Sequence, residues 1–339
     1  MRRDRVRIVD IAEELGLSTA TVSNVLHGKI KKISDETVRR VQEKVEEKGY
    51  IPNMAGILLA QNNSRIVGVI VNHHEKYEDR VLEDAFIASA LNGLSEELND
   101  TGYFMMVKTT PDCEEIVRIA SMWNMEGLVL IGFCGQDYQK LRASMHIPFV
   151  IYDGYFDTDT ETWGKVCNLR IDDYDGGRQV GAYLRSMGHR KILCIADNYI
   201  CMDKERIDGC REGMAEGQTE FLMVPMEQEK RRRFYGERLE EILQYTAVFL
   251  VSDYYAVDFL QFLSDRGVRV PEDISVVGFD DSPQCKIVKP HLTTVKQDLR
   301  ERAKWAVCIL RRLKAGSIEE SEVRFPVQLV KRDSVRRIV

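Results

Sequence analysis

From Ile66 onward the chain alternates short apolar runs with amphipathic stretches, and no other feature restricts its fold so sharply. "IVGVIV" is a continuous apolar run of strand length, and "ALNGLSEELNDTGY" reads as an amphipathic helix. "YFMMV", "GLVLIGF" and "PFVIYD" are further buried-strand runs, with helical stretches between them. The second half repeats the scheme with "KILCIAD", a helix in "KERIDGCREGM", "AVFLVSD", a helix through "AVDFLQFLSDRG", and "ISVVGFDD". Strands apolar on both sides and separated by helices predict parallel sheets covered by helices on both faces. Two such rounds of roughly 110 residues predict two lobes.

The stretch before Ile66 is patterned differently. "IVDIAEEL" places Ile8, Ile11, Ala12 and Leu15 on one helical stripe, and Gly16 is suited to a left-handed C-cap. Ser18 can cap a second helix, "LSTATVSNVL", which Gly28 ends. Its Leu17, Val22, Val25 and Leu26 face inward; Thr19, Ala20, Thr21, Ser23 and Asn24 remain outside, small and uncharged. A third helix starts at Ser34, with Asp35 and Glu36 at its positive end, carries Val38, Val41 and Val45 inward, and stops near Gly49. The short link between the first two helices is that of a helix-turn-helix.

Charge divides the same way. Residues 1–65 carry 12 Lys and Arg against 9 Asp and Glu, whereas the whole chain has a net charge of −6. A basic head on an acidic body points to an anionic partner for the head alone. The B-DNA major groove accepts one helix and is read by polar side chains near its first turns. Thr19, Ala20 and Asn24 stand there, and Ser18 and Thr21 can meet phosphates. The competing reading is a three-helix cap that is structural or binds protein.

Other classes fit poorly. No apolar run approaches the roughly 20 residues that span a bilayer, and the start, "MRRDRVRIVD", has no apolar segment behind it, so no secretory signal and no membrane partner are expected. The eight cysteines never form CxxC, which predicts reduced core residues and no structural metal. No GxGxxG follows a strand and there is no phosphate loop, so no cofactor is expected. In "GGRQVG" the glycines from Gly176 to Gly181 suit close helix–sheet packing. An enzyme is the main rival class. Adjacent Asp280 and Asp281 diverge after a strand instead of facing one substrate atom, and no Ser-His-Asp set backs such a reading.

"VDIAEELGLSTATVSNVLHG" and "ISDETVRRVQEKVEEKGYIPN" closely resemble the headpiece of the lac repressor family of bacterial transcription regulators. The likeness continues through "GVIV", "IDDYDGG", "LRSMGHRKI", "ERIDGCREGM" and "AVFLVSD" to "RVPEDISVVGFDDSP" and "HLTTVKQDL". The resemblance implies a two-lobed body like periplasmic sugar-binding proteins, a small molecule between the lobes, and a dimer on palindromic operator DNA. It completes the expected DNA-contacting set with His27, Asn53, Leu59 and Ala60. Leu59 matches a Leu that wedges into the minor groove, although Gly56, Ile57 and Leu58 depart from the family pattern; burial against the body is the alternative. Asn24 stands where Arg is common. Asn pairs with adenine rather than guanine, which predicts an A·T pair, or tolerance of several bases, at that position of the half-site; a phosphate contact is the alternative.

Ligands of open α/β sheets lie beyond the carboxyl ends of strands. Asn72, His73, Asp153, Asp197, Ser252, Asp253, Asp280 and Asp281 follow strand runs here. By the resemblance, Arg206 matches an Arg that grips effectors, Asp253 and Asp280 match cleft carboxylates, Ser252 replaces an Asn, and Phe86 aligns with an aromatic that stacks on effectors. The stretch between Asn72 and Asp84 is longer than usual. The plainer readings are a helix N-cap for Asp281 and for Asp172 or Asp173, a structural interlobe salt bridge between Arg206 and Asp253, and a wet loop for His73 and His74.

The expected architecture is therefore an all-α helix-turn-helix headpiece at 1–52, a hinge helix and linker at 53–65, and an α/β two-lobed body with parallel sheets at 66–339. Lobe 1 takes in about 66–172 and 294–323, lobe 2 about 173–293 and 324–339. The expected function is a cytoplasmic, ligand-responsive repressor of sugar-catabolism genes that contacts an operator as a homodimer, with a sugar or sugar derivative as effector and purines as the second class; an activator role and a co-repressor in place of an inducer are the alternatives. Without Leu heptads at the end, a dimer is favoured over a tetramer. The alternative is a soluble sugar-binding protein without regulatory DNA binding.

Overall fold

The computed structural model describes residues 6–26, 28–51, 64–99, 101–133, 135–154, 167–317 and 322–338. His27, Asn53, Leu59 and Ala60 lie outside the described residues, as does nearly all of the expected hinge. The chain forms two compact units divided between residues 63 and 64.

The smaller unit holds α1 (Ile8–Leu15), α2 (Thr19–Leu26) and α3 (Asp35–Glu47). Ile11, Ala12, Val22, Val25 and Val41 form its core, with Leu15, Leu17, Val38 and Val45 packed around them. Gly16 ends α1 at φ 66°, left-handed as its position requires. The Thr21 N–H donates to Ser18 Oγ at 3.1 Å, and the Thr37 N–H to Ser34 Oγ at 3.3 Å, so both expected caps form. Arg40 on α3 reaches back to the Leu15 carbonyl at the end of α1, satisfying one of the acceptors a helix terminus leaves open.

The larger unit contains β1 (Ile66–Val71), α4 (Ala85–Asn99), β2 (Phe104–Thr109), α5 (Cys113–Met122), β3 (Gly127–Ile131), α6 (Gly135–Ser144), β4 (Phe149–Tyr152) and β5 (Asn168–Ile171). It continues with α7 (Asp173–Ser186), β6 (Lys191–Ala196), α8 (Cys201–Met214), β7 (Gln218–Met223), α9 (Gln228–Glu237), α10 (Leu239–Ile242), β8 (Ala247–Leu250), α11 (Asp253–Asp265) and β9 (Ser275–Val277). β10 (Thr294–Lys296), α12 (Leu299–Lys314), β11 (Glu322–Phe325) and β12 (Gln328–Val330) close it. Lobe 1 is built on a six-stranded sheet of order β11-β5-β4-β3-β1-β2, lobe 2 on a four-stranded sheet of order β7-β6-β8-β9. All pairs in both sheets are parallel.

The continuous apolar runs are explained by burial on both faces. In β1, Val67, Val69 and Val71 enter one core while Ile66 and Ile70 enter another. In β6, Ile192, Cys194 and Ala196 go one way, Leu193 and Ile195 the other. "YFMMV" departs from expectation: β2 is an edge strand with Phe104 56% exposed, not a buried one. The edge strand β7 is polar at Gln218, Thr219 and Glu220 and apolar only at Phe221, Leu222 and Met223, too short an apolar run to be singled out in the sequence. The chain crosses between lobes after β5, around the antiparallel pair β10–β12, and after β11, which runs to Phe325, beyond the expected boundary at 323.

Cys167, Cys194, Cys210 and Cys285 are buried, as core residues are expected to be, whereas Cys308 is exposed. No helix among the described residues is long and apolar enough to cross a membrane. The glycines of "GGRQVG" serve a different contact from the one expected. A Cβ on Gly177 would lie 1.9 Å from the Arg206 carbonyl oxygen, and one on Gly181 2.1 Å from that of Cys210. They let α7 lie backbone to backbone on α8, helix on helix, while Gly176 alone faces Phe279 at the end of β9.

Candidate functional site

In the smaller unit, α2 presents Ser18, Thr19, Ala20 and Asn24 exposed, with Thr21 and Ser23 half-buried. Val22 and Val25 point the opposite way, into the core, and this orients the uncharged face outward. The Ser18 and Thr21 hydroxyls lie 2.8 Å apart and bond to each other, so they are pre-positioned at the helix start.

In the larger unit, a cavity of about 520 Å³ lies beyond the carboxyl ends of the strands and is lined from both lobes. Phe86, Asp153, Arg206, Ser252, Asp253 and Asp280 all line it, as the sequence predicts. Asn72 does not. Its amide donates to the Gly132 carbonyl at 2.9 Å, fastening the end of β1 to the end of β3, so its side chain is spent on the scaffold.

A polar relay forms part of the cavity wall. The buried Arg302 on α12 pairs with Asp153 at 2.8 Å, donates to the Leu169 carbonyl at 2.9 Å and to Gln297 Oε1 at 2.8 Å. Gln297 Nε2 donates to Asp280 Oδ1 at 2.8 Å, and Arg206 Nη1 stands 3.9 Å from the same oxygen. Arg206 Nε donates to Asp173 Oδ1 at 2.8 Å and Nη1 to the Val251 carbonyl at 2.6 Å, with the guanidinium 3.8 Å from the Phe279 ring centroid. Its ion-pair partners are thus Asp173 and Asp280, and the alternative pairing with Asp253 is corrected. Asp253 accepts from the Ser282 N–H at 2.7 Å, the Cys285 thiol at 2.9 Å and the Thr294 hydroxyl at 2.7 Å. It ties the cavity wall together. Asp281 does not cap a helix either: Ser282 is the N-cap of the following turn, and Asp281 binds Arg332. Asp172 does cap α7, accepting from the Asp175 N–H at 3.1 Å.

Burial governs the acids. It pushes Asp253 up to about 6 against hydrogen bonds from Cys285, Ser282 and Thr294 that pull it down, and raises Asp280 well above its ordinary value, with Arg206 opposing. Asp280 also sits at φ 121°, a backbone region L-residues rarely adopt and one that costs on the order of 1–3 kcal/mol. Asp203 is pushed up to about 7, chiefly by burial, with Arg206 and Lys76 opposing and Asp197 adding. A raised value means the folded form holds this proton more tightly. That contribution to stability is full below the ordinary value of 3.8 and is lost as pH rises through 7. Asp203→Asn should therefore flatten the fall in urea midpoint between pH 5 and pH 8, with its largest gain at pH 8. An unchanged slope would show that Asp203 is not the group responsible.

Residues the sequence did not single out complete the cavity: Lys76, Tyr77, Asp84, Arg231, Tyr254 and Tyr255. Buried Arg231 pairs with Asp258 at 3.0 Å and its guanidinium lies 4.9 Å from the Tyr255 ring centroid. The Tyr152 and Ser252 hydroxyls are buried without a hydrogen-bond partner among the described residues. His73 pairs with exposed Asp79 at 2.6 Å, and among the described residues no group of His, Cys, Asp and Glu is arranged to hold a metal.

Comparison with known proteins bears on both units. Residues 7–53 match the model of bacterial regulatory proteins, lacI family, and residues 182–335 that of the periplasmic binding protein-like domain. The HTH-type transcriptional repressor PurR of Vibrio cholerae is 26% identical over 344 residues, 97% of this chain and 98% of the relative. The HTH-type transcriptional regulator CelR of Thermobifida fusca is 27% identical over 313 residues, 87% of this chain and 88% of the relative. The lac repressor dimer bound to operator and an anti-inducer superimposes with a TM-score of 0.83 at 24% identity, over 98% of this chain and all of that one. A transcriptional regulator CelR–cellobiose complex superimposes with a TM-score of 0.69 at 24% identity, over 97% of this chain. Helix-turn-helix head, doubly covered parallel sheets and family model agree: the chain is a member of the lacI family of bacterial regulatory proteins.

Proposed function

We propose that the chain is a cytoplasmic transcriptional repressor that binds a palindromic operator as a homodimer and responds to a sugar or sugar derivative held between its lobes. The observation that carries the DNA reading is the exposed, uncharged face of α2, where Thr19, Ala20 and Asn24 project from a helix seated on a core of its own. In this reading Ser18, Thr21 and Ser23 hold the sugar-phosphate backbone and Asn24 meets an adenine edge. His27, Asn53, Leu59 and Ala60 extend the contact, with Leu59 wedged in the minor groove.

The effector reading rests on the cavity. Its size suits a small ligand, and Phe86, Tyr77 and Tyr254 offer aromatic faces to a sugar ring. Asp153 and Asp280 accept from hydroxyls, and the Ser252 and Tyr152 hydroxyls have unmet capacity. Capture of CelR as a cellobiose complex supports a sugar. Arg206 acts by holding Asp280, and the relay from Asp153 to Asp173 gives the two lobes one shared polar network through which occupancy biases their arrangement.

Fluorescence anisotropy tests this with duplexes recovered by selection and scrambled controls. Selected DNA should be held at least about 10³-fold tighter, and Asn24→Ala should cost about 1–3 kcal/mol of discrimination at one A·T pair. An obligatory G·C pair there would refute the Asn24 assignment. Sugar binding with no preference among duplexes would instead establish a soluble sugar-binding protein.

A further inference from the structure

We propose that residues 73–84 are a latch by which lobe 1 holds lobe 2 closed before any effector arrives, with the Lys76 ammonium occupying the acidic end of the cleft. The segment leaves β1 at Asn72 and rejoins lobe 1 through Val81, which is 2% exposed, and through Asp84, whose carboxylate accepts from the Phe86 and Ile87 N–H groups at 3.1 and 3.0 Å. Both of its ends therefore belong to lobe 1.

Its middle belongs to lobe 2. The Tyr254 hydroxyl on α11 donates to the Lys76 carbonyl at 2.6 Å, across 178 residues of sequence. The Gln228 N–H at the start of α9 donates to Glu78 Oε1 at 2.9 Å, across 150 residues. The Tyr77 and Tyr254 rings meet edge to face with centroids 5.9 Å apart. Glu78 and Asp79 stand consecutively at φ 47° and 64°, left-handed geometry that an isolated loop of L-residues avoids and that tertiary contacts must hold.

Lys76 supplies the charge. Its Nζ lies 5.0 Å from the Tyr77 ring centroid and 5.9 Å from that of Tyr255, and no carboxylate among the described residues comes within ion-pair distance. Burial pulls this ammonium down, but Tyr77 and the carboxylates of Asp197, Asp203 and Asp84 together hold it above its ordinary value. A cation surrounded in this way at longer range does for the cleft what the polar groups of a ligand would otherwise do. The segment lines the cavity through Lys76, Tyr77 and Glu78, so a ligand entering the cavity meets it directly.

The regulatory meaning of the latch rests on the cleft being the effector site; its existence does not, and the test uses neither ligand nor DNA. Spin labels are placed through non-canonical residues at exposed Lys140 on α6 and Glu240 on α10 of the full chain, one in each lobe, leaving the native cysteines alone. The parent protein should give one narrow interlobe distance. Glu78→Ala with Tyr254→Phe should add a population at longer distance while amide exchange in β3 stays unchanged, and Lys76→Met should enlarge that population. A distance distribution identical to the parent's overturns the latch. If the double variant melts globally, Tyr254→Phe alone, which keeps the ring contact, decides the question by the same readout. Loss of operator binding with the latch intact would count against the proposed function and leave the latch standing.

Discussion

Arg206→Ala is expected to lower the stability of the body by about 3–5 kcal/mol, because removing one partner of a buried ion pair leaves the other charge uncompensated. Asp173 is fully buried and loses its 2.8 Å partner; Asp280 loses the only cation within 4.0 Å among the described residues. The Val251 carbonyl loses its donor and the Phe279 ring its stacked guanidinium in the same step. Urea denaturation should show the midpoint falling at unchanged slope. Arg206→Lys keeps the charge but lacks the planar fork that reaches Asp173 and Val251 together, so it should recover only part of the loss. A cost under about 1 kcal/mol for the alanine variant would show that the contacts of Arg206 do not carry the stability assigned to them here.

Gly177→Ala should be as damaging without touching any polar group. Its Cβ would sit 1.9 Å from the Arg206 carbonyl oxygen, a backbone atom that cannot swing aside, so α7 and α8 must separate. Overpacking usually costs about 1–3 kcal/mol, and a clash with backbone belongs at or above the top of that range. The contrast is Gly236→Ala on α9. There the added Cβ meets the tip of the Arg266 side chain at 3.2 Å, which can move, and alanine brings a better helix propensity. Equal thermal stability of the two variants would show that α7 and α8 are not held at this spacing by their glycines.

Much of this was readable in the residues because burial leaves a periodic trace. β1 and β6 are apolar throughout, since both faces of each strand are covered, and no half-exposed strand has that composition. Where a face is open, the trace fades. β2 reads as buried because its methionines and Phe104 are apolar, yet it lies at an edge; β7, at the other sheet's edge, is apolar only at Phe221, Leu222 and Met223, too short a run to stand out. The cleft carboxylates were legible because the chain reverses direction after each parallel strand. What those carboxylates bind was not, because pairing is set by elements far apart in sequence. Asp253 is engaged by Ser282, Cys285 and Thr294, and Asp281 by Arg332. Lys76, Tyr254 and Arg231 were invisible for the same reason: Lys76 and Tyr254 meet across the lobes, and Arg231 is buried against Asp258 and Tyr255 from a separate helix of its own lobe.

The glycine contact between α7 and α8 also bears on how the molecule can rearrange. Two helices in backbone register have no soft coordinate between them, so a displacement that reaches Arg206 carries Asp173 with it as passive freight. Swivelling of the lobes would then leave that ion pair dry and intact. The barrier would be concentrated in the few bonds that span the lobes, such as Arg170 to Glu205 at 2.9 Å.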